Sequence, residues 1–333
     1  MRSVTFVARC TGWRFGYLRY VRHLGFLVLL PAIASAQSPD ALPLRVNRTA
    51  ALQFLRPLPL GPVLPKGSGE SSWNMTVANE MRGAPGVLED AETWRLAYTR
   101  RWSGMDGEWT LEVPFLTRGG GLLDPVISGY HHIVAFGVPL RENTPNGNSE
   151  IALPGSPRFG SASGLGDITV GFGRPLGHAT AARAWVKLPT GDSTQALGSG
   201  NADAGLSIDH TFKLSRDLNL QVVGGLVAQG RARQLANVKG LVETGTVALA
   251  WHRNSRDTFG LQWTAEGAPQ NLGVSEVDLE HRVVSFTYSR RTSEHSWLSA
   301  FFSEDRDFSW VHFPQGAEVG PDFTLGFMWH CRQ

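Results

Sequence analysis

Cysteine is nearly missing from this chain: two in 333 residues, Cys10 and Cys331. Cys10 falls inside the basic leader described below, so only Cys331 would remain after its removal, which excludes an intramolecular disulfide framework. Long apolar runs are missing too. The best of them, Leu24 to Ile33, is far short of the roughly 20 residues that cross a bilayer as a helix, so a helical membrane protein is excluded. There is no basic stripe. The 31 Lys and Arg face 29 Asp and Glu, and taking away the five arginines of the leader leaves 26 basic residues against 29 acidic. Such a balance speaks against nucleic-acid binding. Catalytic signatures are also lacking. There is no Gly-x-Ser-x-Gly elbow and no His-Glu-x-x-His zinc pattern. A His/Ser pair on one strand face would need even spacing, yet His295-Ser296 and His252 with Ser255 are both odd. The chain is therefore read as not an enzyme, with no cofactor and no metal.

What is present begins with a secretory signal pattern. Arg2, Arg9, Arg14, Arg19 and Arg22 precede the apolar run, and Ala34-Ser35-Ala36 supplies small residues for cleavage after Ala36. The basic stretch is long for such a signal, as if the true start lay further along. No cysteine follows the apolar run, so no lipid-attachment site is expected. Residues 1–36 are thus a signal peptide, 37–70 a proline-rich segment and 71–333 one further domain.

In that domain about twelve strand-like segments run from Ser71 to Trp329. The connections between them alternate in length. Those at 103–106, 174–180, 214–217, 253–257 and 292–295 are short, and those at 82–91, 116–163, 189–200, 230–239, 267–277 and 305–321 are long. A transmembrane β-barrel has short periplasmic turns and long outer loops, and an even strand count brings both chain ends to the inner side. The expected fold is therefore an all-β, transmembrane, antiparallel up-and-down barrel of about 12 strands.

Period-two patterning agrees. Trp109, Leu111, Val113 and Phe115 oppose Glu108, Thr110 and Glu112. Phe259, Leu261, Trp263 and Ala265 oppose Gly260, Gln262, Thr264 and Glu266, and Leu241, Val247, Leu249 and Trp251 oppose Thr244, Thr246, Ala248 and Ala250. A secreted soluble sandwich would alternate in the same way. The small and polar second face, and aromatics such as Trp94, Tyr98, Trp251, Tyr288 and Trp297 placed in the apolar rows, favour a wet lumen and a membrane interface. The last segment, with Phe323, Leu325, Phe327 and Trp329 alternating with Thr324, Gly326 and Met328, resembles the terminal strand read by the barrel assembly machinery. Four residues, His330 to Gln333, follow its final aromatic.

Two regions break the rhythm. Residues 37–70 carry Pro39, Pro43, Pro57, Pro59, Pro62 and Pro65, which bars them from the centre of a sheet. They form either a periplasmic leader or a plug in the lumen. The long connection 116–163 holds Leu122, Leu123, Val126, Ile127, Tyr130 and Val134 at helical spacing. Asp124 suits the N-cap, Pro125 the first turn and Gly137 the stop, so an amphipathic helix is expected over about 125–136, buried against the barrel mouth or inner wall. As a constriction it would offer Asp124, Tyr130, His131, His132 and Arg141. Adjacent histidines on a helix diverge, so His131-His132 is read as a polar edge and not a metal pair.

At this helix a family resemblance emerges. Gly120-Gly121-Leu122-Leu123-Asp124, Ile127, Tyr130-His131, Phe136-Gly137-Val138-Pro139, Arg141 and Pro145 resemble the signature of an uncharacterised Gram-negative family, the domain of unknown function numbered 3187. Gly164-Leu165-Gly166-Asp167, Lys187-Leu188-Pro189-Thr190-Gly191-Asp192 and Gly198-Ser199-Gly200 with Asp203 are similar to stretches of that family and, more weakly, of outer-membrane transporter barrels. The resemblance implies an outer-membrane barrel and no established activity.

Eight charged residues fall on the polar phase: Arg95, Glu108, Glu112, Asp167, Arg183, Lys187, Asp203 and Asp209. Their mixed signs suit a narrow polar passage and equally suit ion pairs filling a closed lumen. Trp185 shares the phase of Arg183 and Lys187, so it either faces the lumen or marks a slip in phase. The expected function is a narrow, porin-like pore or transporter for a small solute in the cell outer membrane. Its surroundings would be outer-membrane lipid and lipopolysaccharide, and the barrel assembly machinery would be its partner in biogenesis. The alternatives are an outer-membrane lipid-modifying enzyme and a non-conducting structural or assembly barrel.

Overall fold

Strands with one apolar and one polar face leave two raw edges unless the sheet closes on itself. In the computed structural model, which describes residues 39–104, 106–134, 144–274, 278, 280–305 and 321–333, the sheet does close. Its strands are β1 (Gly69–Ala84), β2 (Val87–Gly104), β3 (Gly107–Gly119), β4 (Glu150–Ala152), β5 (Ala162–Leu165), β6 (Ile168–Pro175) and β7 (Thr180–Leu188). The second half adds β8 (Asp203–Lys213), β9 (Leu218–Ala228), β10 (Leu241–His252), β11 (Asp257–Glu266), β12 (His281–Arg291), β13 (Ser296–Asp305) and β14 (Pro321–Arg332). Every neighbour is antiparallel, and β1 pairs with β2 on one side and with β14 on the other. The result is a closed, twelve-stranded barrel in which β4 and β5 are short extensions. β5 continues β6 across a break at Gly166-Asp167, the two pairing with successive stretches of β3. Two helices accompany the sheet among the described residues, α1 (Thr49–Leu52) and α2 (Asp124–Val134), and no helix there is long and apolar enough to cross a membrane. The leader at 1–36 lies outside the described residues.

One rim carries the short turns 176–179, 214–217, 253–256 and 292–295, and the opposite rim carries the long loops. The expected long connection 82–91 is different in the structure. Arg82 pairs with Glu89 and Ala84 with Val87, so β1 and β2 run on into a tall hairpin. It turns at Pro85-Gly86, where proline presets φ and Gly86 takes φ +79°, a turn chemistry that lets both strands continue. At the other end β14 runs past Trp329 to Arg332, and Gly69 and Gln333 exchange backbone hydrogen bonds that seal the closure.

Outward rows are apolar and exposed: Trp73 and Met75 on β1, Leu206 and Ile208 on β8, Phe327 and Trp329 on β14. Aromatic contacts gather at the short-turn rim, with Trp73 on Tyr98 at 4.8 Å, Trp109 on Phe172 at 4.9 Å and Phe259 on Tyr288 at 5.2 Å. Trp297 departs from the sequence expectation. It is 2% exposed and faces inward, edge-on to His330 at 5.6 Å, with the Arg332 guanidinium over its ring. Its neighbour Leu298 holds the outward position.

Inward glycines make room for large side chains. A Cβ at Gly326 would fall on the Phe301 ring and close to the Met75 carbonyl, and one at Gly171 would sit 2.6 Å from the Trp185 ring. Gly326→Val should therefore cost about 1–3 kcal/mol by overpacking, whereas Gly245→Ala, in ordinary contact, should stay within about 0.5 kcal/mol. Urea unfolding of both variants in lipid vesicles, followed by tryptophan fluorescence, tests the difference.

Candidate functional site

The inner face of this barrel is charged. Burying charge costs several kcal/mol per ion unless it is paired, and the register brings partners together. All eight residues singled out by phase are buried. Arg95 on β2 meets Glu112 on β3 at 2.7 Å. Glu108 lies between Arg183 of β7 at 2.7 Å and Arg101 of β2 at 2.8 Å, and Arg183 also pairs with Asp209 of β8. Lys187 reaches Asp167 at 2.6 Å and Asp203 at 3.3 Å. Of the two arrangements compatible with the sequence, these are ion pairs between strands. Alternation alone did not single out Arg101 with Glu70 at 2.8 Å or Arg82 with Glu89, which lie toward strand ends.

A second piece of chain fills the space the wall encloses. Its course follows from the rims. Asp40 lies 3.0 Å from His252 at the short-turn end of β10. The backbone then climbs past Gln262, whose amide brackets Leu42 N and O at 3.0 and 3.1 Å. Asn47 bonds Thr76, and Arg48 bonds His281. Helix α1 caps the climb near the long-loop rim, where Glu80 accepts from Thr49 N and Oγ1. The return pass gives Leu55 N to Asp203 at 2.8 Å, Gly61 O to Arg183 at 2.7 Å, Pro62 O to Arg101 at 3.1 Å and Leu64 N to Glu108 at 2.8 Å. Residues 40–64 thus form a hairpin-shaped plug, largely buried. Its prolines have no N–H to satisfy, wall side chains accept from the amides of Leu42, Val46, Thr49, Leu55 and Leu64, and the plug's own carbonyls accept from those of Leu44, Leu52 and Phe54.

Trp185 lies on the lumen phase. It donates to Ser207 Oγ at 2.9 Å and packs on Leu55 and Leu58 of the plug. At the long-loop rim Ala50 and Phe54 join Val87, Ala91, Ile151, Leu153, Phe159, Ala196 and Leu235 in one apolar cluster, so loops fold over the plug as a cap.

The three glycine-rich stretches converge on Lys187. Its ammonium donates to Asp167 Oδ2 and Ser199 Oγ at 2.6 Å and to the Gln53 carbonyl at 2.7 Å. Asp167 in turn accepts from Gly191 N at 2.8 Å and Ser199 N at 3.0 Å. A side chain at Gly198 would fall on that carboxylate, hence the glycine. The loop between carries a 3-10 turn, Ser193–Gln195, capped by Asp192. Hydrogen bonds from the Thr194 hydroxyl and amide hold the Asp192 carboxyl below the usual carboxylate range.

Helix α2 is placed differently from the expectation. Asp124 Oδ1 accepts from Asn79 Nδ2 at 2.8 Å, and Glu92 accepts from Leu123 N at 2.7 Å. Asn79 and Glu92 are register partners on the same phase as Trp73, Met75 and Trp94, the outward rows. The helix start therefore lies against the outside of the β1–β2 hairpin. Ile127 is fully buried there, while Leu122 is 76% and Val126 60% exposed. The side chains of Tyr130, His131 and His132, and all of Arg141 and Phe136, lie outside the described residues.

The closed antiparallel sheet, apolar outside and plugged inside, defines a protein with the fold of outer-membrane β-barrels. The chain belongs to the family of proteins of unknown function DUF3187, whose model matches residues 23–270. Among solved structures it is similar to the COG4313 outer-membrane channel of Pseudomonas putida F1, with 16% identity and a TM-score of 0.50 over 82% of this chain and 97% of that one. It is also similar to the P. putida toluene transporter TodX, with 10% identity and a TM-score of 0.43 over 86% and 92% of the two chains. No curated protein matches.

Lys187→Met would leave Asp167 and Asp203 buried without their shared cation. A loss of about 3–5 kcal/mol is expected, against less than about 1 kcal/mol for Arg158→Gln, whose partner Glu150 is a surface neighbour. Unfolding midpoints in detergent micelles give both values.

Proposed function

We propose that this protein is a channel of the outer membrane for small polar solutes, held shut by residues 40–64. One observation carries the reading: the main charge pairs of the wall join strand to strand, as in Arg95–Glu112, Arg183–Glu108 and Lys187–Asp203, so they persist when the plug is gone. Eight strands fill with their own side chains and 16 to 18 leave an open channel. Twelve strands enclose room for an occupant, and here most polar contacts to the occupant are ones water can replace. The apolar outward rows suit lipid and lipopolysaccharide. In this reading the leader ending at Ala36 carries the chain across the inner membrane, and the barrel assembly machinery inserts it. Helix α2, anchored on outward residues, is no part of the constriction.

Planar-bilayer recording of the chain from residue 37 onward, beside a variant with residues 41–64 replaced by a Gly/Ser linker, tests this. Low or rare conductance is expected in the first and steady, larger conductance in the second. Replacing residues 122–134 by a linker should change neither. A linker variant that inserts and stays silent overturns the channel.

A further inference from the structure

Beyond Asp40, which pairs with His252 at the short-turn rim, the plug brings charge of one sign into the lumen. Its charged residues there are Arg48 and Arg56, both buried, and Arg45, half-buried, with no acidic residue among the described residues between 41 and 64. A segment present only to fill space would not carry three guanidinium groups inward and bury two of them, since each buried one needs a matched partner. Nor does the plug answer the wall's cations with carboxylates, since Arg101 and Arg183 receive only its carbonyls at Pro62 and Gly61.

The matching is sharpest at Glu266. Arg56 Nε donates to Glu266 Oε2 at 3.0 Å, and Arg56 Nη2 donates to the Gly267 carbonyl at 3.1 Å. The third nitrogen turns back to the plug's own Leu55 carbonyl at 2.8 Å. Both side chains of the pair are almost fully buried, at 2% and 3% exposure. Every hydrogen bond to the Glu266 carboxylate among the described residues comes from the plug, the second being Val46 N at 3.5 Å. Arg45 adds a further positive charge close to Glu266 and Glu112. A carboxylate and a carbonyl set side by side match the planar fork of a guanidinium, and this pair already holds one.

We propose that Glu266 with the Gly267 carbonyl is a binding station for guanidinium- or ammonium-bearing solutes, occupied by Arg56 while the plug is seated. The opened lumen then prefers cations, and a cationic solute competes with the plug for its own latch. The selectivity part rests on the channel reading above, and the binding part does not.

Chemical rescue tests the station on the full chain in detergent micelles. Arg56→Ala should lower the melting temperature. Millimolar guanidinium chloride should restore most of the loss, sodium chloride at equal ionic strength should not, and the double variant Arg56→Ala/Glu266→Gln should show no rescue. Should Arg56→Ala fail to refold, Arg56→Lys, which keeps the charge and loses the fork, carries the same comparison. Absence of guanidinium-specific rescue, or rescue that survives Glu266→Gln, overturns the station. Reversal potentials of the linker variant in a potassium chloride gradient test selectivity. A preference for potassium that falls several-fold on Glu266→Gln is expected, and an anion preference, or indifference to that substitution, overturns it. Rescue with no conductance from inserted protein sustains the station and removes the channel reading alone.

Discussion

The interior of a twelve-stranded barrel must be filled or wetted, and nearly everything distinctive in this chain follows from how that requirement is met. Its own inward side chains do not span the gap. The wall is lined with carboxylates, guanidinium groups and amides that cannot be left dry and unpaired. Pairing across neighbouring strands satisfies one part, as in Arg95 with Glu112 and the Arg101–Glu108–Arg183 chain. The plug satisfies much of the rest with its backbone. Glycines at 171 and 326 belong to the same solution, because they let Trp185 and Phe301 lie flat on the wall beneath the plug.

Two kinds of contact hold the plug, and they respond differently to water. Bonds from Leu55, Leu64 and Thr49 to wall carboxylates, and from Lys187 to the Gln53 carbonyl, are exchanged for bonds to water on withdrawal, and the net value of such a bond to a charged group is about 1.5–3 kcal/mol. The apolar cap around Phe54 and Ala50 does not trade, because uncovering it exposes hydrocarbon. Resistance to withdrawal of the plug therefore sits at the long-loop rim and at the buried Arg56–Glu266 pair. Apart from that pair the polar lumen guides the segment, with the Lys187 knot as the point where loop, wall and plug meet.

The barrel was legible in the sequence because strands of period two and short turns on one rim leave local marks. So was α2, with its Asp124 start. Alternation picks out the eight charged residues, most plainly Glu108, Glu112 and Asp209, which have Thr110 or Ser207 and Thr211 two positions away, and least plainly Arg183 and Lys187, which flank Trp185. Other features leave no such mark. Trp297 and Leu298 are adjacent and both apolar, so alternation is silent there and only the partner His330 fixes the inward direction. The tall β1–β2 hairpin was hidden because residues 82–91 look like a polar loop, although Pro85-Gly86 carried the turn signal. The plug's route has no period at all. It is written in wall residues more than 200 positions away, 220 between Leu42 and Gln262 and 233 between Arg48 and His281, and one-dimensional patterning does not reach that far. Where α2 docks is likewise set by Asn79 and Glu92, polar residues on an outward row that bond Asp124 and Leu123.

Topology decides which way the plug can move. Its climbing pass begins beside His252 and its return pass ends beside Ser103, both at the short-turn rim. The return pass continues into β1 through Gly69, so its lower end is fixed to the wall, while α1 is the bend farthest from both anchors. A hairpin with both arms at one rim can withdraw toward that rim without threading the barrel and without breaking a strand pair. Movement toward the long-loop rim would instead drag the arms through the ring of Arg101, Glu108 and Arg183 and against the loops packed over Phe54. The strand closure sealed by Gly69 and Gln333 stays intact in the first case, so the opening proposed above asks no change of the surrounding barrel.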